Sequence, residues 1–213
     1  MNESDFTTPL NTYLKNIESE FSQIPGHRID TLKLTGNWIV SSLKDKGSAD
    51  LVFICTHNSR RSQFGQVWAS TAARYYGIDN INGFSGGTES TAFHHAAVAA
   101  IQRAGFIVKG SRDQEENQKY ILKSGPGTPG IIMFSKKYND PENPAENFCA
   151  ILVCSDADEA CPLITGASLR ISLPYEDPKA FDGSNLEIRK YDERCREIAR
   201  DMFFAFHYVA LSL

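Results

Sequence analysis

Cys55 and Arg61 stand with five residues between them in the run Cys55-Thr56-His57-Asn58-Ser59-Arg60-Arg61-Ser62. A short loop at the start of a helix aims several backbone N–H groups at one point, which makes a nest for an anion. The same field favours thiolate over thiol, the form in which a cysteine attacks. An arginine beside it can grip two oxygens of a tetrahedral anion and follow the charge into the transition state. Ser62 can donate a hydrogen bond to that thiolate. A buried strand-end cysteine near a surface arginine would show the same spacing by chance, so the flanks decide. Leu51-Val52-Phe53-Ile54 is a compact apolar run suited to a buried parallel strand. Gln63 to Tyr76 reads as a helix closed by Gly77. Strand, loop and helix in that order favour the functional reading.

Further residues could take part. Cys154 and Cys161 follow a second apolar run, Ala150-Ile151-Leu152-Val153, and Asp177-Pro178 lies on a late loop. Taken alone, the cysteines read as small buried hydrophobes and Asp-Pro as a turn. Cys149, Cys154 and Cys161 match no common zinc spacing and show no fourth ligand, so no metal site is expected. Cys149 and Cys195 read as packing residues in a strand and a helix. Gly125 to Gly130 spells a dinucleotide fingerprint, but it precedes the strand Ile131-Ile132-Met133-Phe134 and carries two prolines that remove amide donors. It reads as a turn.

The elements that must position these residues alternate. Extended runs at 51–54, 80–85, 131–134 and 148–153 are separated by helical segments at 63–76 and 94–104, and a last helix runs from about Leu186 to His207. Phe106-Ile107-Val108 opens a further extended piece. This pattern indicates an α/β fold with a mainly parallel sheet. Residues 6–46 read as two helices broken at Pro25-Gly26, a helical extension over 1–48 that packs or dimerises. The second carries Ile29, Leu32, Ile39, Val40 and Leu43 and stops at Gly47.

Composition sets bounds. The net charge of −4 argues against general nucleic-acid binding, which needs clustered positive charge. No stretch reaches the ~20 apolar residues that span a bilayer. The N-terminus lacks the positive and apolar regions of a secretory signal, so a cytoplasmic location is expected. Five cysteines, odd and sparse, fit a reducing compartment.

The loop from Ile54 to Gln63 resembles that of the thioredoxin-coupled arsenate reductases, which reads Cys-Thr-Gly-Asn-Ser-Cys-Arg-Ser-Gln. Asn58 matches; His57 stands for glycine and Arg60 for cysteine, which adds positive charge at the loop rim. Ser85-Gly86-Gly87-Thr88 and Cys154-Ser155-Asp156-Ala157-Asp158-Glu159-Ala160-Cys161-Pro162 resemble two further segments of that family. The resemblance covers about residues 50–122 and 148–205. It implies a three-layer domain of the low-molecular-weight phosphatase type over 49–213, with an insertion at about 123–147. It also implies roles: Cys55 as nucleophile, Arg61 as oxyanion clamp and Asp177 as general acid, with Glu176 as its fallback. Cys154 would attack the Cys55–arsenic adduct, and Cys161 would carry the disulfide onward to thioredoxin. Gln66 takes the place of a glutamate that holds potassium in some members, so no ion is expected. Three functions compete: arsenate reductase, low-molecular-weight tyrosine phosphatase using Cys55, Arg61 and Asp177 alone, and a non-enzymatic oxyanion or redox sensor.

Overall fold

The computed structural model of the chain describes residues 5–110, 116–160 and 163–213. Helices α1 (Thr8–Glu18) and α2 (Gly26–Lys46) lead into β1 (Ala49–Cys55), α3 (Arg61–Tyr75), β2 (Ile81–Gly87) and α4 (His95–Arg103). Short strands β3 (Ile107–Gly110), β4 (Tyr120–Lys123) and β5 (Ile131–Met133) follow. Then come β6 (Phe148–Leu152), α5 (Ser155–Ala160), β7 (Ala167–Ser172) and the long α6 (Glu187–Ser212).

A four-stranded sheet in the order β2-β1-β6-β7 is parallel throughout. Its strands alternate faces, as period-two side chains must. Leu51, Phe53, Cys149 and Ile151 join the main core with helices α1 to α4 and α6, while Val52, Ile54, Ala150 and Leu152 pack beneath Phe84, Tyr138 and Ile164. The α/β architecture and parallel sheet expected from the sequence are present.

Two strands were not legible. β4 has only four residues, and β7 breaks its apolar positions with Ser168, Arg170 and Ser172. β4 pairs antiparallel with both β3 and β5, making a second sheet apart from the first. Gly125–Gly130 is the turn joining β4 to β5, fastened by the Thr128 hydroxyl to Gly125.

The N-terminal helices do not stand apart from the core. Leu10, Leu14 and Ile17 of α1 and Leu32 and Ile39 of α2 are fully buried in it. Gly47 ends α2 with φ +77°, a left-handed cap that suits glycine. Among the described residues no helix is long and apolar enough to cross a membrane.

Candidate active site

Because the four strands run parallel, their carboxyl ends share one edge, and the loops leaving them converge there, where α/β sheets bind ligands. Cys55 ends β1 between Gly87 of β2 and the end of β6. Residues 56–60 then turn into α3. Arg60 at the helix start offers no side-chain cap, and no acceptor among the described residues meets the amides of 57–63. Such a ring of open N–H groups at a helix start is an anion nest.

Cys55 is buried, with its sulfur 3.1 Å from Ser62 Oγ. Ser62 in turn accepts from Asn58 Nδ2 at 2.8 Å. Asn58 has φ +48°, a left-handed conformation that asparagine tolerates better than most residues. His57, where the resembling family has glycine, is not in the positive-φ region.

What holds the loop from behind is the stretch taken from sequence as an insertion. The Ser135 hydroxyl donates to His57 O (2.8 Å), Lys136 N–H to Asn58 Oδ1 (2.9 Å), and Gln63 Nε2 to Phe134 O (2.9 Å) and Asn58 O (2.8 Å). Gly87 and residues 136–138 are linked by Gly87 N–H to Lys136 O and Tyr138 N–H to Gly87 O, each 2.9 Å. Gln66 Oε1 accepts from Ser85 Oγ at 2.6 Å.

Gly87 itself lies against the loop. A methyl group there would sit 2.6 Å from Thr56 O and 2.8 Å from Asn58 N, both backbone atoms. Gly87→Ala must therefore displace the nest. We expect kcat/KM at this loop to fall roughly 10²-fold, the cost of about an ångström of misplacement. Unchanged kinetics in a folded variant would contradict this placement.

Arg61 and Asp177 meet directly. Arg61 donates to Asp177 Oδ2 at 2.5 Å and to the Tyr175 carbonyl at 2.9 Å. Its Nε is buried and has no hydrogen-bond partner among the described residues, which leaves one donor open. Cys55, His57, Ser59, Arg60, Arg61 and Asp177 line a pocket of about 10 Å³. The second carboxylate oxygen of Asp177 caps the turn at Pro178–Phe181 through Lys179 N–H (3.0 Å). Glu176 points elsewhere, pairing with Arg194 at 3.3 Å.

Arg60 departs from the sequence expectation of charge at the loop rim. Its side chain is 10% exposed and turned inward, donating to Tyr191 Oη (2.5 Å) and Asp182 Oδ2 (2.8 Å). Tyr191 donates to Asp182 Oδ1 (2.6 Å) and lies 3.0 Å from His94 Nδ1. Burial alone would raise the Asp182 pKa, but the Tyr191 hydroxyl and Arg60 hold it below its ordinary value. This cluster, unread in the sequence, fastens the far end of the Asp177 loop to the loop that follows β1.

Burial, with Arg60 close by, lowers the His94 pKa. Between that lowered value and about 6.5 the unfolded chain binds more protons than the folded one, so stability rises with pH across this window. Acidification through the window removes stability. The thermal midpoint should therefore fall further in wild type than in His94→Phe between about pH 7.5 and about pH 5.5. Parallel falls would contradict a half-buried His94 with a lowered pKa.

Cys154 is fully buried directly after β6 and opens α5, accepting from Ala157 N–H at 3.4 Å. Its sulfur lies 3.6 Å from Thr56 Oγ1, next in sequence to Cys55. Cys161 lies outside the described residues. Cys149 and Cys195 are packing residues: burial raises both pKa values, that of Cys195 to about 12. A roomier cavity of about 530 Å³ between α4 and α6 is lined by Tyr13, Arg103, Ile188 and Cys195, none of the loop residues. Cys55, Arg61 and Asp177, the three residues singled out in the sequence, instead meet at the small pocket. No cluster of metal-ligating side chains occurs among the described residues.

Comparison with known proteins returned no matching family model. An arsenate reductase from Bacillus licheniformis is 26% identical over 147 residues, 69% of this chain and 86% of its own length. A low-molecular-weight protein tyrosine phosphatase from T. tengcongensis superposes with a TM-score of 0.50 at 13% identity, covering 78% of this chain and all of that one. An arsenate reductase in the phosphate-binding state gives 0.45 at 19% identity, over 77% and 98%.

Proposed function

We propose that the chain is a member of the group that joins low-molecular-weight protein tyrosine phosphatases to arsenate reductases, and that it is an enzyme reducing arsenate to arsenite. The observation that carries this reading is the Cys154 sulfur, 3.6 Å from Thr56 and buried beside the nucleophile loop. A phosphatase using Cys55, Arg61 and Asp177 has no task for a cysteine there.

In this reading arsenate enters the nest and takes Arg61 from Asp177. The Cys55 thiolate attacks arsenic, an S–As bond forms, and a departing oxygen leaves as water with a proton from Asp177. Cys154 thiolate then attacks the Cys55 sulfur. The new S–S bond forms as the S–As pair goes to arsenic, which leaves as arsenite. Cys161 thiolate attacks the Cys154 sulfur, freeing Cys55 and making a Cys154–Cys161 disulfide. Thioredoxin reduces that disulfide in a reducing, cytoplasmic setting. For the first exchange the contact between Thr56 and Cys154 must open.

Phosphatase action is the second reading, favoured by one observation. A cleft of about 480 Å³ beside the loop, lined by His57, Ser59, Arg60, Phe93, His94 and Lys179, offers room for an organic leaving group that arsenate lacks. The two are separated by steady-state arsenite formation with thioredoxin, thioredoxin reductase and NADPH, set against p-nitrophenyl phosphate hydrolysis. Repeated arsenite turnover only with thioredoxin supports the reductase. Hydrolysis without arsenite would replace it with the phosphatase. Neither activity, with an arsenate-dependent change in dimerisation, would point to a sensor acting through the N-terminal helices.

A further inference from the structure

Arg28 lies in α2, outside the stretch of the chain that resembles the family, yet it reaches the acid loop. Its NH1 donates to the Pro174 carbonyl at 2.9 Å, and its guanidinium sits 4.5 Å over the centre of the Tyr175 ring. Nε and NH2 both donate to Asp201 Oδ2 of α6, at 3.0 and 2.8 Å. The Tyr175 hydroxyl donates to that same carboxylate oxygen at 3.0 Å. Asp201 is fully buried, Tyr175 is 5% exposed and the Arg28 side chain 11%. The backbone of Tyr175 leads straight into the site, because its carbonyl accepts from Arg61 NH1 and Asp177 lies two residues on.

We propose that Arg28, held by Asp201, is a positioning residue for both catalytic partners, fixing Pro174 and Tyr175 so that Arg61 is aimed and Asp177 is delivered at the leaving oxygen. The N-terminal helices are thereby part of the catalytic unit. The physical logic is direct. A loop carrying an acid loses entropy each time it must find one geometry, and a buried guanidinium with several fixed acceptors removes that search in advance. Arginine suits the task because its planar fork can serve a carboxylate, a carbonyl and a ring face together. Lysine, a point donor, cannot reproduce all three.

This rests on oxyanion chemistry at Cys55, and the test keeps the two claims apart. Arg28→Ala, Arg28→Lys and Tyr175→Phe are assayed on p-nitrophenyl phosphate, whose leaving group departs without help, and on phenyl phosphate, whose leaving group needs the acid. Orthophosphate affinity is measured by calorimetry on the same proteins. Arg28→Ala should lose at least about 10-fold more kcat on phenyl phosphate than on p-nitrophenyl phosphate, a part of the 10²- to 10⁴-fold that an acid supplies. Its orthophosphate Kd should rise several-fold, with Arg28→Lys between it and wild type. Tyr175→Phe, which removes only one hydroxyl, should show the same selectivity to a smaller degree and covers the case where Arg28→Ala does not fold. Equal losses on both esters with an unchanged phosphate Kd would reduce Arg28 to a packing residue and overturn the proposal. If wild type hydrolysed neither ester, the phosphatase activity would be absent, and the phosphate Kd series alone would decide the role of Arg28.

Discussion

Cys55→Ser should abolish turnover of every oxyanion substrate, by at least about 10⁴-fold, while leaving the fold intact. The expectation follows from placement. Cys55 is buried at the end of β1, its sulfur 3.1 Å from Ser62 Oγ, under amides of 57–63 that no protein acceptor meets among the described residues. A serine hydroxyl fits the space but remains a poor nucleophile, because its hydrogen-bond partner among the described residues, Ser62, is no base. Orthophosphate should still bind, since nest and clamp remain. Stopped-flow turnover and calorimetry check both halves. Turnover within about 10-fold of wild type would move the nucleophile elsewhere.

Cys154→Ser divides the two enzymatic readings. Arsenate turnover should fall by roughly 10³-fold or more, because without the second thiolate nothing opens the Cys55–arsenic adduct by sulfur exchange. Hydrolysis of p-nitrophenyl phosphate should stay close to wild type, since the clamp and acid contacts of Arg61 and Asp177 do not involve residue 154. The substitution is mild structurally: serine still accepts from Ala157 N–H at the start of α5, as a helix cap does. Loss of both activities would make Cys154 a packing residue under the loop. Retained arsenate turnover would remove it from the relay.

The nucleophile loop was legible because every signal for it is local. An apolar strand, a five-residue gap, an arginine and a helix closed by Gly77 at φ +66° lie within 30 residues of one another. Arg61 and Asp177 were singled out through family resemblance, and the structure brings the two side chains into contact across 116 residues. Residues 134–136 were not readable as a brace, because two of their three contacts to the loop use backbone groups, which carry no sequence signature. Arg60 shows the limit of counting charge along a loop. The sequence puts a cation at the rim, whereas Tyr191 and Asp182, more than 120 residues away, turn it inward. Arg28 is the extreme case, joined to Asp201 across 173 residues by an ion pair that no periodicity foretells.

The central claim is that Cys55 and Cys154 together supply the two electrons that take arsenate to arsenite. Fully reduced protein, mixed with arsenate in the absence of any other reductant, should release one arsenite per chain and lose two of its five free thiols. No arsenite, with all five thiols retained, would contradict the relay and leave phosphate esters as the substrates of this site.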